Sequence, residues 1–250
     1  MSLPAAFTAR PITHRGLHDI KAGRAENSRK AFAAAMEHGY GIELDLQISS
    51  DGVPMVFHDY DLSRLTDETG SVAQRTAAEL GQIPLKHDGD GIPTLAEVLD
   101  QVAGKVPLLI ELKDQDGGLG PDIGSLPAVV ADLLRTYGGP AAVMSFNPHM
   151  VADLADRLPD VPRGITSGAY KPENWPTIKA EVRDRLRDIP DYDRTGSCFI
   201  SYRDTALDRP RIAELKAQGA TILCWTVRSP EAERAARQFA DNITFEGYLA

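Results

Sequence analysis

Four short stretches of the sequence combine groups that move protons, bind cations and hold anions: His14-Arg15-Gly16, Glu43-Leu44-Asp45, His58-Asp59 and Glu111-Leu112-Lys113. Each closes an apolar run of the kind that forms a buried strand. Glu43 and Asp45 are two residues apart, so on a strand both carboxylates point to one face. Two enclosed acids repel and raise each other's pKa, a conflict that a cation removes. A Glu-x-Asp pair standing alone is more often an outward acid beside a surface base. Glu111, at the end of a further strand, offers a third oxygen and shifts the balance to a metal. An all-oxygen set without cysteine suits one divalent cation of the hard kind, Mg²⁺ or Ca²⁺, better than zinc.

His14 and His58 both follow apolar strands directly. An imidazole titrates near neutral pH, so two of them can act as general base and general acid across one phosphorus centre. One histidine at a strand end is usually structural, but two beside a cluster of acids point to catalysis. His18 lies four residues beyond His14 with Gly16 between them and no His-Glu-x-x-His pattern, so it is left outside the site. His38, His87 and His149 read as structural or surface residues. Arg15 and Lys113 are the local cations that could hold a phosphate, the first by a planar fork and the second as a point charge. Alternation places Lys113 on the same face as Glu111.

These groups need strands to aim them. Extended segments are expected at 10–13, 41–47, 54–57, 107–112, 142–145, 163–166, 198–201, 221–227 and 243–245. Helical patterns are expected at 28–38, 95–103, 126–137, 148–158, 173–187, 210–218 and 230–240. Thr94 with Glu97 fits a capping box, Ser229-Pro230 places proline at a first helical position, and Gly39 and Gly219 fall at helix ends. Repeated βα units imply a parallel sheet covered on both faces. The glycine fingerprint of a dinucleotide fold is missing after the first strand, which favours a closed TIM-type (β/α)8 barrel over an open sheet. Nine strand candidates compete for eight places, so at least one is misread or lies outside the ring. Residues 59–92 break the rhythm and read as a small insertion over the C-terminal mouth of a single domain spanning residues 1–250. Within it, a short helical piece is expected at 76–80, where Thr76 and Glu79 form a second capping box.

The chain has 250 residues, with 36 acidic against 27 basic side chains and a formal charge of −9. That balance disfavours a nucleic-acid partner, which needs a basic face. Cys198 and Cys224 lie inside apolar runs and are expected to be buried, reduced thiols. The start carries no positively charged leader, and no run is long enough to span a bilayer, so a cytoplasmic protein without stable membrane association is expected.

Taken in order, the motifs resemble the glycerophosphodiester phosphodiesterase family. The likeness runs through His14-Arg15-Gly16, Glu26-Asn27-Ser28, Ile42-Glu43-Leu44-Asp45, the stretch from Asp51 to Asp59, Leu62 to Thr66, Ile92 to Leu99, Glu111-Leu112-Lys113 and Trp225-Thr226-Val227. It is dense over residues 12–113 and thin from there to 220. The resemblance implies a TIM-type barrel with a small inserted subdomain after the third strand. It implies metal-dependent hydrolysis of a glycerophosphodiester to glycerol 3-phosphate and an alcohol. It maps the two catalytic histidines onto His14 and His58, the metal ligands onto Glu43, Asp45 and Glu111, and the phosphate contacts onto Arg15 and Lys113. Trp225 either packs the glycerol or alcohol group in the pocket or fills the barrel core. Ser28 stands where the family often has Thr, Arg228 where it often has Asn, and Thr244-Phe245-Glu246 where its last strand usually ends in Thr-Asp. These differences are expected to lie away from the metal and proton-transfer residues and to bear on substrate selection. The rival readings are a phospholipase-type enzyme acting on a lipid head group and an inactive barrel that binds a phosphorylated ligand. The first is disfavoured by the insertion, which has no apolar rim, and the second by the completeness of the acid and histidine set.

Overall fold

The structure, a computed structural model, describes all 250 residues. Nine strands form: β1 (Ile12–Thr13), β2 (Gly41–Ile48), β3 (Pro54–Val56), β4 (Leu108–Leu112), β5 (Ala141–Ser145), β6 (Arg163–Ser167), β7 (Phe199–Arg203), β8 (Thr221–Val227) and β9 (Asn242–Phe245). The helices are α1 (Ala6–Ala9), α2 (Arg29–Glu37), α3 (Ala77–Leu80), α4 (Leu95–Val102), α5 (Leu126–Leu134), α6 (Pro148–Arg157), α7 (Ala180–Arg187), α8 (Pro210–Ala217) and α9 (Pro230–Ala236). Eight strands run parallel in the order β1-β9-β8-β7-β6-β5-β4-β2, and β1 pairs back onto β2 to close the ring. The ninth candidate, β3, pairs antiparallel with the end of β2 and lies outside the barrel.

Strand parity sorts the side chains. On β2, Ile42, Leu44 and Leu46 pack outward against the helices, as do Leu108, Ile110 and Leu112 on β4 and Ile222 and Cys224 on β8. The opposite parity fills the barrel: Ile12, Leu109, Met144, Phe199 and Leu223 form its floor, capped from below by Leu3 and by Phe7 of α1. Gly164 on β6 makes room for Phe199, since a Cβ there would stand 2.4 Å from the Phe199 ring and 2.6 Å from its carbonyl oxygen. The floor is buried and apolar, which leaves the polar and charged groups to the upper end of the barrel.

Local signals account for most helix boundaries. Thr94 and Glu97 form the expected capping box of α4, as do Thr76 and Glu79 in α3. Gly39 and Gly219 take the left-handed backbone expected after α2 and α8. Both cysteines are buried and unpaired. The helix expected over 173–187 starts only at Ala180. Pro176 disfavours helical backbone at Trp175, which sits at φ −135° and ψ 55° after a 3-10 turn at Pro172–Asn174. The turn α1 was not expected. Between β3 and α4 the chain folds over its own apolar cluster, built from Leu62, Val72, Leu80, Ile83, Leu85 and Ile92 beneath Met55 and Phe57. No helix is long and apolar enough to cross a membrane.

Candidate active site

The upper mouth of the barrel opens into a cavity of about 790 Å³. Parallel register decides what meets there. Asp45 of β2 stands beside Glu111 of β4. Thr13 of β1 pairs with Ile42 on one side and with Phe245 on the other. The following residue, His14, therefore emerges between Glu43 and Glu246.

Glu43, Asp45 and Glu111 are 2%, 1% and 5% exposed, and each brings a carboxylate oxygen within 4.8 Å of the others. Burial first, then the neighbouring Asp45 and Glu111 charges, push the Glu43 carboxyl well above the usual range. Burial works the same way on Asp45, but Lys113, His58 and Arg15 together hold it well below. Lys113 Nζ lies 2.7 Å from Asp45 Oδ1 and also bonds Glu111. Asn27 Nδ2 donates to Asp45 Oδ2 at 2.9 Å, and the backbone N–H of Arg15 donates to Glu43 Oε2 at 2.9 Å. That last bond depends on Arg15 adopting left-handed backbone at φ 57°, a strained state for a residue with a Cβ. Three buried acids thus share two cationic side chains, one of which is divided with a fourth acid. The all-oxygen donors, the burial and the residual negative charge fit one hard divalent cation.

The fourth acid is Glu26. It accepts from Arg15 Nη1 at 2.6 Å and from both terminal nitrogens of Arg64 at 2.8 Å. Arg64 Nε in turn donates to Asp59 Oδ2 at 2.5 Å, and Asp59 Oδ1 meets His58 Nδ1 at 2.6 Å. A continuous chain of charge-assisted bonds therefore joins His58 to the acid cluster. Burial works to raise Asp59, but His58 and Arg64 hold it well below the carboxylate range. His58 is left with its Nε2 edge for the cavity it lines.

His14 is the more enclosed histidine. Burial pushes it down to about 4, against the pull of Glu246, so it is neutral at pH 7. Its Nδ1 lies 2.5 Å from Glu246 Oε2. His18 Nε2 approaches the same oxygen at 3.4 Å, and Arg228 Nε donates to Glu246 Oε1 at 2.8 Å.

Opposite the ionic side, Phe146, Trp175 and Trp225 form an aromatic wall. Phe146 lies 4.9 Å from Trp175 and 5.5 Å from Trp225 between ring centres. The Trp225 indole N–H donates to Ser201 O at 3.1 Å, and the Arg203 guanidinium lies 4.6 Å from its ring. Trp225 faces the cavity and does not fill the core.

His14, Arg15, Glu43, Asp45, His58, Glu111, Lys113 and Trp225 all line this one cavity. Arg15 and Lys113 are not free-standing phosphate hooks: both are bound to carboxylates. His18, left outside the site in sequence, reaches Glu246 because the backbone turns back at Arg15 and Gly16. Contrary to the expectation that these differences lie away from the candidate site residues, Glu246 bonds His14 directly and Arg228 bonds Glu246. Glu246 shares the inward parity of Thr244, the signal that could have placed it. Glu26, Asp59 and Arg64 lie in motifs the sequence already marked, but nothing in their spacing showed that they form one chain, and the wall residues Phe146, Trp175 and Arg203 had no sequence signal.

The sequence pattern of the Glycerophosphoryl diester phosphodiesterase family matches residues 14–244. Glycerophosphodiester phosphodiesterase 1 of Homo sapiens is 35% identical over 245 residues, which cover 87% of this chain and 71% of that protein. Glycerophosphodiester phosphodiesterase of Caldanaerobacter subterraneus subsp. tengcongensis is 30% identical over 176 residues, 66% of this chain and 69% of that protein. Among solved structures, an Oleispira antarctica phosphodiesterase in complex with the product sn-glycerol-3-phosphate shares the barrel with a TM-score of 0.76 at 24% identity, covering 96% of this chain and 94% of that one.

Proposed function

The chain belongs to the glycerophosphoryl diester phosphodiesterase family, and from that premise we propose that the cavity hydrolyses glycerophosphodiesters to glycerol 3-phosphate and an alcohol through His14 and His58. The observation that carries the assignment of roles is the convergence of two carboxylate-tethered histidines and a buried acid trio on one cavity.

Each histidine bonds its carboxylate through Nδ1, which leaves Nε2 as the nitrogen that exchanges a proton with the substrate. One histidine takes a proton from the attacking O–H, of water or of the neighbouring glycerol carbon, as its oxygen bonds phosphorus; if the glycerol hydroxyl attacks, water then opens the cyclic phosphate by the same two groups in reverse. The other gives one to the leaving alcohol oxygen as its bond to phosphorus breaks. The tethering carboxylates stabilise the imidazolium form of each histidine, after the proton is taken at the base and before it is given at the acid, which matters most at the buried His14. Glu43, Asp45 and Glu111 would hold a divalent cation, Mg²⁺ or Ca²⁺, which when bound polarises the phosphoryl oxygens. Arg15 and Lys113 offset the charge of the diester, with Glu26 holding the Arg15 fork in place. Trp225 and the aromatic wall offer an apolar surface to the glycerol or the alcohol. Glycerol 3-phosphate, the product held by the Oleispira enzyme, is the product proposed here.

The test is release of glycerol 3-phosphate from a panel of glycerophosphodiesters, run with Mg²⁺, with Ca²⁺ and with EDTA. Metal-dependent release is expected from the wild type, and Glu43→Ala is expected to lose it together with metal binding measured by calorimetry. Undiminished turnover in EDTA would remove the metal from the reading. No release from any diester with either ion would overturn the substrate.

A further inference from the structure

The two positions near the end of the chain where the sequence departs from the family pattern, Arg228 and Glu246, are one device. Glu246 Oε1 accepts from Arg228 Nε at 2.8 Å while its Oε2 meets His14 Nδ1 at 2.5 Å. The backbone holds both ends of this chain in place: Glu246 N donates to Val227 O at 3.0 Å, and His14 N donates to Phe245 O at 2.8 Å. Glu246 is only 17% exposed at its side chain, so its bonds are shielded from competing water, whereas Arg228 is 61% exposed and reaches in from the rim. Resting on the reading above, we infer that Glu246 is a positioning residue for His14, fixing the ring with Nδ1 protonated and Nε2 bare toward the cavity, and that Arg228 sets the rotamer of Glu246.

The chemistry follows from what a buried imidazole lacks by itself. Without a partner at Nδ1 the neutral ring would distribute its proton between both nitrogens and rotate about χ2. Only the form with bare Nε2 can take a proton from the cavity. The imidazolium then formed would be strongly disfavoured in a buried site without an adjacent carboxylate. A carboxylate at Nδ1 meets all three needs, the logic by which an acid orients the histidine of a hydrolytic triad. His18 Nε2 faces the same oxygen at 3.4 Å and is buried without a hydrogen-bond partner, so a rotated Glu246 has a second place to go. Arg228 on the other oxygen opposes that rotation.

The experiment compares wild type, Glu246→Gln, Glu246→Ala, Arg228→Ala and the double variant, each with saturating divalent cation. Steady-state kinetics are read beside ¹⁵N NMR of the histidine tautomers. Glu246→Gln is expected to lower kcat by about 10–10²-fold, the scale seen when a partner that orients a functional histidine is lost, with KM within twofold. Glu246→Ala is expected to fall further and to turn the His14 signal from a single Nδ1-protonated tautomer into a mixture. Arg228→Ala should cost less than Glu246→Ala and nothing more in the Glu246→Ala background. Wild-type kcat in Glu246→Gln and Glu246→Ala would overturn the inference, as would an unchanged His14 tautomer in Glu246→Ala. Loss confined to KM, or additive effects of the two positions, would do the same. A wild type that cleaves no diester would instead defeat the underlying reading, while the tautomer measurement would still report on Glu246.

Discussion

Glu26→Gln should be strongly destabilising, and more so at neutral than at acid pH. Burial works to raise the Glu26 carboxyl, but the three N–H donors of Arg64 and Arg15 more than offset it and bring the carboxyl from the ordinary 4.5 to about 2. A carboxylate whose pKa is lowered by folding stabilises the native state above its unfolded pKa and loses that contribution as pH falls through the folded value. The gap between 4.5 and about 2 corresponds to roughly 3 kcal/mol at pH 7, at about 1.4 kcal/mol per tenfold. The same relation leaves about 1.4 kcal/mol at pH 3. A neutral glutamine keeps the shape, offers one acceptor, and turns an N–H₂ group toward a guanidinium that also only donates. Urea unfolding of wild type and variant at pH 7, 5 and 3 measures the difference. The expected result is a gap of about 3 kcal/mol at pH 7 that narrows by half at pH 3. A gap below about 1 kcal/mol at pH 7, the worth of an exposed ion pair, would refute the reasoning. A gap that did not change with pH would show that packing, not charge, was lost.

Two further outcomes probe the barrel at different depths. His58→Ala and His14→Ala should each lower turnover by about 10²–10⁴-fold, the usual scale for a positioned acid or base. Circular dichroism should be unchanged, and near-wild-type activity in either variant would remove that histidine from the reaction. Gly164→Ala drives a Cβ into the Phe199 ring and carbonyl in the barrel floor. It should cost about 3 kcal/mol, a fall in Tm of roughly 6–12 °C for a chain of this length. An unchanged Tm would mean that the floor repacks freely.

Much of the site is legible in the sequence because it rests on a local rule. A strand turns each side chain to the opposite face from the last, so Glu43 with Asp45, and Glu111 with Lys113, had to share a face wherever their strands ended up. Apolar neighbours such as Leu44 and Leu112 had to take the other face, against the helices. Helix ends were readable for the same reason, as the capping boxes at Thr76 and Thr94 act within one turn. Proline at 176 should have moved the start of α7, and the helical periodicity of 173–187 concealed it.

What the tertiary structure decided is which strand ends become neighbours. His14 and Glu246 are separated by 232 positions, and they meet at 2.5 Å only because β9 closes the ring against β1. The path from His58 through Asp59, Arg64 and Glu26 to Arg15 likewise joins segments whose spacing carries no period. Alternation along a strand is local geometry and is written in the sequence; the adjacency of strand ends is set by barrel closure and register, which arise from burial of the whole set of outward apolar faces together.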